Sequence, residues 1–241
     1  MVQFAAKNAH DLAKASEIVA PYVNGVDLNC GCPQRWAIQE GIGSHLMEDP
    51  EMVRDMIRQT KSRCSPMFPC GIPMSIKIRI HPDLRRTVDY VQMMEKAGVD
   101  FITVHGRNRR QKSTVPVNVE SIQLVKTSVA IPVVANGGIF SLEDADEMVS
   151  LTNVDGVMAA RGLLQNPAMF QGLQHTPLQC LREFIKLGVG TGMNHFIFHH
   201  HLMYMTESIM SKQEKKSFNV LTSIPSVLDW LEEHYGMDFL L

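Results

Sequence analysis

The sequence contains no apolar stretch of about 18 residues, the length a helix needs to span a bilayer, so no membrane-spanning segment is expected. Its start, MVQFAAKNAHDLAKAS, lacks the basic region and apolar run of a signal peptide. An excess of one charge is also missing. Lys and Arg total 23 against 25 Asp and Glu, for a formal net charge of −2. No global basic field is available to attract nucleic acid, so any such binding falls to local patches. Cysteine is sparse: Cys30, Cys32, Cys64, Cys70 and Cys180 are the five present. Their odd number and scattered spacing speak against a disulfide framework. No second Cys or His pair joins Cys30 and Cys32 to complete a zinc site, so no metal is expected. The expectation is a reduced, intracellular protein, in the cytoplasm first and the nucleus second. Hydrophobic residues make up 45% of the 241, enough for a buried core, in one large domain or one large and one small.

Short apolar runs alternate with longer amphipathic stretches. The pattern predicts strands at Val2–Ala6, Val26–Asn29, Met74–Ile80, Phe101–His105, Pro132–Ala135 and Gly156–Ala159. It predicts helices at His10–Ala20, Asp49–Arg63, Leu84–Ala97, Val119–Ser128, Leu142–Ser150 and Leu163–Gln171. Asn8 and Ser141 are the expected caps, Pro50 a first-turn residue and Gly98 a terminator. Strand followed by helix, repeated, implies a parallel α/β sheet whose short apolar strands are buried on both faces. After Pro177 the strand signals stop, and helices are predicted at Leu178–Leu187, Met193–Met210, Lys212–Leu221 and Val227–Tyr235. The expected boundary lies near His175–Pro177, giving a domain over 1–175 and a helical domain over 176–241. A closed (β/α)8 barrel has eight units in about 250 residues. The readable units number six, so the sheet is either open and doubly wound or of barrel type with two units fewer.

The strand ends help to separate these. Gln3 lies in the first strand, and Asn29-Cys30-Gly31-Cys32-Pro33 follows the second. Lys77 and Arg79 lie in the third, and His105-Gly106-Arg107 closes the fourth. Asn136-Gly137-Gly138 closes the fifth and Ala160-Arg161-Gly162 the sixth. A doubly wound sheet gathers its ligand at one switch point, whereas a barrel uses every strand end on one rim. The glycine turns after the fifth and sixth strands suit phosphate binding by backbone N–H groups, although each is also an ordinary turn. No G-x-G-x-x-G follows any strand, which disfavours a dinucleotide fold. Lys77, between Ile76 and Ile78, must face a polar site, an anion or a structural carboxylate, because burying it unpaired is costly. His105 is either a satisfied core histidine or a ligand-facing group. Cys32 sits between Gly31 and Pro33, which fix its backbone; it suits a nucleophile or a general acid and base. A buried, inert cysteine is the alternative, and Cys30 fits it better. Arg107–Lys112, Arg85 with Arg86, and Lys212 with Lys215 and Lys216 form three small basic clusters. His199-His200-His201 point different ways on a helix and are not expected to hold a metal.

These residues resemble a known family. VDLNCGCPQRW at 26–36 with GIG at 41–43 is similar to the signature of tRNA-dihydrouridine synthases. SIKIRI at 75–80, ITVHGR at 102–107, PVVANGGI at 132–139 and DGVMAARGLLQNPAMF at 155–170 follow in the family's order, as do HLMYM at 201–205 and QEKK at 213–216. The closest resemblance is to the eukaryotic branch acting at positions 20a and 20b of the tRNA D-loop. It implies a TIM-barrel flavoprotein with a C-terminal helical tRNA-binding domain, expected as a monomer. FMN, reduced by NADPH or NADH, would pass hydride to C6 of a flipped-out uridine, and Cys32 would protonate C5. Gln3, Lys77 and His105 would contact the isoalloxazine ring. Asn136, Gly137, Gly138, Ala160, Arg161 and Gly162 would hold the FMN phosphate, with Asn29, Arg79 and Arg107 beside the substrate. Two departures stand out. The family's A-P-M strand and the strand after it have no counterpart, so the resemblance implies a barrel lacking its first two units, truncated before Val2. Asn136-Gly137-Gly138-Ile139 stands where N-G-D-I is usual. An inactive truncated isoform or fragment, and a small-molecule flavin reductase of the same fold, are the alternatives.

Overall fold

The computed structural model describes residues 1–68 and 71–237; Cys70 and the last four residues of the expected helical domain lie outside these. The strands are β1 (Val2–Phe4), β2 (Val26–Asn29), β3 (Met74–Arg79), β4 (Phe101–His105), β5 (Val133–Asn136) and β6 (Gly156–Met158). The helices between them are α1 (Ala9–Val19), α2 (Arg35–Gln39), α3 (Pro50–Cys64), α4 (Leu84–Ala97), α5 (Val119–Ser128) and α6 (Leu142–Thr152). Then follow α7 (Arg161–Gln165), α8 (Leu178–Gly190), α9 (His195–Met205), α10 (Lys212–Phe218) and α11 (Ile224–Tyr235). None of the described helices is long and apolar enough to cross a membrane.

The local chemistry explains these boundaries. Asn8 Oδ1 accepts the Asp11 N–H at 2.8 Å to start α1, and Asp49 accepts from Met52 before Pro50 opens α3. Gly98, at φ 103°, ends α4 in the left-handed region. Ser141 Oγ accepts from the Asp144 N–H as expected of a cap. The helix predicted over Leu163–Gln171 is instead α7 followed by a separate 3-10 turn at Met169–Gln171. Pro167 is the cause. The residue before a proline is pushed out of the helical region, and Asn166 has φ −148° and ψ 93°.

The six strands pair in parallel in the order β1-β2-β3-β4-β5-β6. Neighbouring parallel strands joined by right-handed crossovers place every connecting helix on one side of the sheet. The order never reverses, which excludes the doubly wound alternative and agrees with a sheet of the TIM-barrel type. The register aligns Gln3 with Asp27, Asp27 with Ser75, Asn29 with Lys77, Arg79 with His105, and His105 with Asn136. Because successive side chains alternate, these polar residues share one face. Val26, Leu28, Met74, Ile76, Ile78, Ile102, Val104, Val133 and Ala135 fill the other and are fully buried. They pack with Leu12 of α1, Met56 and Ile57 of α3, Met94 of α4 and Val125 of α5. The expectation of apolar burial on both faces therefore holds for one face only. At the opposite ends of the strands, Asp100 accepts the Met74 N–H and Asp155 the Val133 N–H, each at 2.7 Å, joining neighbouring strands.

The described residues divide into two compact units, Met1–Gly138 with Asp146–Met158, and Ile139–Ala145 with the described residues from Ala159 onward. Within the second, Leu181, Phe198, Leu202, Phe218, Val227 and Leu231 form the buried centre of a helical cluster. His199 belongs to it: its ring stacks on Phe218 at 4.8 Å, and Nε2 lies 2.9 Å from the Phe218 carbonyl. Ile76→Ala, in the middle of the first unit's apolar face, is expected to lower the unfolding free energy by about 2–5 kcal/mol. Urea denaturation of the variant against the parent measures it.

Candidate active site

The polar face of the first unit is organised around one carboxylate. Asp27 accepts from Gln3 Nε2 and from Ser75 Oγ, each at 2.6 Å. With its Nε2 committed, Gln3 presents Oε1 to Asn29 Nδ2 at 3.0 Å. Asn29 Oδ1 is thereby left to accept the backbone N–H groups of Gly31 at 3.0 Å and Cys32 at 2.9 Å. A single chain of donors and acceptors runs from Ser75 to the cysteine loop, and each amide has only one orientation that satisfies it. Burial pushes the Asp27 carboxyl above its ordinary range, against the opposing effect of the Ser75 and Gln3 hydrogen bonds.

Three further contacts hold the Cys32 loop. Arg79 Nε donates to the Gly31 carbonyl at 2.9 Å, and its Nη1 donates to the Asn108 carbonyl at 3.1 Å. Ser44 N donates to the Cys32 carbonyl at 2.9 Å. Gly43, at φ +63°, packs so closely that a Cβ there would lie 2.8 Å from Cys32 Cβ. Cys32 is half-buried on this rim. Its neighbour Cys30 is fully buried, and burial pushes its thiol up to about 12, so it stays protonated and inert.

Lys77 is half-buried beside this loop, between the fully buried Ile76 and Ile78. Burial, and then the neighbouring Arg79 charge, pull its ammonium below the ordinary lysine range; Asp27 and Cys32 partly oppose the shift. No hydrogen bond or ion pair within the described residues engages that ammonium. His105 and Arg107 meet at 3.0 Å, Nε2 to Nη1; a guanidinium only donates, so Nε2 accepts. Arg107 is buried and also donates from Nε to the Val115 carbonyl. Gly137, at φ +104°, sits directly under the His105 ring, where a Cβ would come within 2.8 Å of the imidazole. Asn136 donates to the Met158 carbonyl at 2.7 Å, which fixes the turn carrying Gly137 and Gly138.

Gln3, Asn29, Cys32, Lys77, Arg79, His105, Arg107, Asn136, Gly137 and Gly138 thus lie in the first unit, and the network above joins several of them directly. Ala160, Arg161 and Gly162 lie in the second unit, where the Arg161 guanidinium sits 5.3 Å over the Phe140 ring. No group of His, Cys, Asp and Glu among the described residues is arranged to hold a metal ion, which includes His199–His201. Sequence reasoning passes over Asp27 and Ser75. The only signal for them is an acid and a hydroxyl at alternate positions in otherwise apolar strands.

The family profile described as dihydrouridine synthase matches residues 1–229. The chain is 49% identical over 237 residues to the human protein named tRNA-dihydrouridine(20a/20b) synthase [NAD(P)+]-like, covering 98% of this chain and 74% of that one. It is 49% identical to the mouse protein of the same name, covering 100% and 73%. A Schizosaccharomyces pombe protein named tRNA-dihydrouridine(20a/20b) synthase [NAD(P)+] is 44% identical over 98% of this chain and 71% of its own length.

Two outcomes test the site's geometry. Asn29→Ala removes the acceptor for two loop N–H groups. It is expected to cost about 1–3 kcal/mol and to raise the alkylation rate of Cys32 by iodoacetamide severalfold, read by peptide mass mapping. Lys77→Met removes a charge whose burial is unfavourable, so it is expected to stabilise the fold at neutral pH. The sign follows from the depressed pKa. The folded parent binds fewer protons than the unfolded chain between that value and 10.5, so the parent's stability rises with pH across this window. The variant should lack that rise in urea titrations at neutral and alkaline pH.

Proposed function

Because the chain belongs to the dihydrouridine synthase family, we propose that it reduces the C5=C6 bond of uridines in the tRNA D-loop, using a nicotinamide cofactor through FMN, with Cys32 as proton donor. Its relatives are named for positions 20a and 20b, and we assign the same positions. The observation that carries the reading is the placement of Cys32: a half-buried thiol on a loop fixed by Asn29, Arg79 and Ser44, with the second cysteine of the motif sealed in the core.

The residues present fit FMN. Gln3, Lys77 and His105 offer an amide, a cation that no hydrogen bond or ion pair engages among the described residues and an imidazole on one face, which suits a ring bearing carbonyls and ring nitrogens. Gly137 lets its turn pack directly against the His105 ring, where a Cβ would clash. The turn of Gly137 and Gly138 supplies backbone N–H groups suited to phosphate. For Ala160, Arg161 and Gly162 the phosphate role rests on the family resemblance. When bound, the flavin supplies the hydride that goes to C6.

The chain's own residues supply the rest. A uridine must leave the RNA stack to reach the rim. Asn29 and Arg79 hold the Cys32 backbone so that Sγ meets C5 from a fixed direction, which lowers the entropic cost of the proton transfer. The proton passes from Sγ to C5. Arg79 holds the loop through the Gly31 carbonyl while the proton leaves. Cys32→Ala is expected to keep the parent's flavin content and to lose more than about 99% of product, in line with removal of a positioned acid. The measurement is the gain of two hydrogens per modified uridine, read by mass spectrometry of digested tRNA; normal product from the variant contradicts the role.

A further inference from the structure

Beside the cysteine loop lies a cavity of about 250 Å³ whose charged wall is formed by Glu48, Arg86, Arg109 and Arg110. Three separate segments supply these groups. Glu48 ends the 3-10 segment Gly43–Glu48, whose Ser44 holds the Cys32 carbonyl. Arg86 stands in the first turn of α4. Arg109 and Arg110 follow Asn108, whose carbonyl Arg79 ties to Gly31. Asn108 of the cavity lining is thus linked through Arg79 to the Gly31 carbonyl of the cysteine loop.

The charge in this cavity is unbalanced. Arg86 Nη2 lies 2.7 Å and Arg109 Nη2 3.3 Å from opposite oxygens of the Glu48 carboxylate. The two guanidiniums thus already converge on one oxyanion. Arg110 also lines the cavity, and no described residue pairs with its guanidinium. His81, on the same wall, has Nδ1 3.1 Å from Thr87 Oγ1 and Nε2 3.1 Å from the Met47 carbonyl. With both nitrogens committed inside the protein, it adds no free donor. Three guanidiniums against one carboxylate leave a concave site of positive charge on a chain whose overall charge is −2. Arginine's planar fork is the side chain best matched to phosphate.

We propose that this cavity binds a backbone phosphate of the RNA strand next to the reacting nucleotide. The inference rests on the function proposed above and adds to it a named subsite. In the complex the phosphate takes up the Arg110 guanidinium and shares Arg86 and Arg109 with Glu48. Because Asn108 of its lining accepts from Arg79, which holds the Gly31 carbonyl, filling the subsite also steadies the cysteine loop, so binding away from the base contributes to catalysis. Glu48 is then a competitor for the phosphate, and its removal should tighten RNA binding. A surface ion pair with no ligand predicts no such gain.

The test is binding of a full-length tRNA transcript to the whole chain over a salt series, with the steady-state KM for NADPH measured alongside. Arg110→Gln is expected to weaken tRNA binding about threefold to tenfold and to flatten the slope of log K against log salt by about one. Glu48→Gln is expected to tighten tRNA binding. Arg63→Gln on α3, which removes the same charge elsewhere, should change affinity far less than Arg110→Gln. An unchanged thermal midpoint for Arg110→Gln excludes misfolding as the cause. Parent-like tRNA binding by both Arg110→Gln and Glu48→Gln overturns the subsite alone. So does a raised KM for NADPH with unchanged tRNA binding, which would give the phosphate to the dinucleotide. A parent chain that does not bind tRNA removes the proposed function, and the subsite with it.

Discussion

Asn29 stands where β2 ends, and its side-chain oxygen receives the backbone N–H groups of both Gly31 and Cys32. That interaction sets where the thiol can be. It depends on Asn29 facing the polar side of the sheet, which depends on the register of β2 against β3. It also depends on the orientation of the Asn29 amide, which Gln3 fixes and Asp27 fixes in turn. Removing any member of the chain loosens the same loop, because each amide has another way round that would waste a donor or an acceptor.

The sheet makes such a chain affordable. Helices α1, α3, α4 and α5 pack on one face of the sheet, so apolar burial is concentrated there. Ile76, Ile78, Ile102 and Val104 are fully buried against the helices, while Lys77, Arg79, Thr103 and His105 alternate with them on the other side. Lys77 shows the consequence. Its charge is unfavourable for folding, yet it occupies the face on which an electron-rich ring would benefit from it. The stability that Lys77 gives up is supplied by the apolar face.

Much of this is readable from the sequence because it is written locally. Asn8, Asp49, Pro50, Gly98 and Ser141 mark helix ends through their own chemistry, and the structure uses each as such. The motif around Cys32 is also local, and so is the contrast between Cys32 and Cys30. What escapes is set by contacts between distant segments. Asp27 reads as one acid in an apolar strand until its neighbours Gln3 and Ser75, 24 and 48 residues away, are brought beside it. Glu48, Arg86 and Arg109 come from three separate segments, and nothing in their spacing announces a shared cavity. The break at Asn166-Pro167 is a different case. Its signal is in the sequence, since the proline disfavours a helix running through Leu163–Gln171.

Under the function proposed above, the polar face is a flavin site and Lys77 is kept there for it. Titration of the purified, flavin-free chain with FMN, followed by quenching of flavin fluorescence, tests this most directly. Saturable binding by the parent chain is expected, with binding weakened by about tenfold or more in the well-folded Lys77→Met variant, the scale of one lost charge-assisted contact. A parent chain that does not bind FMN, or a Lys77→Met variant that binds it equally well, rules out a flavin site held by Lys77.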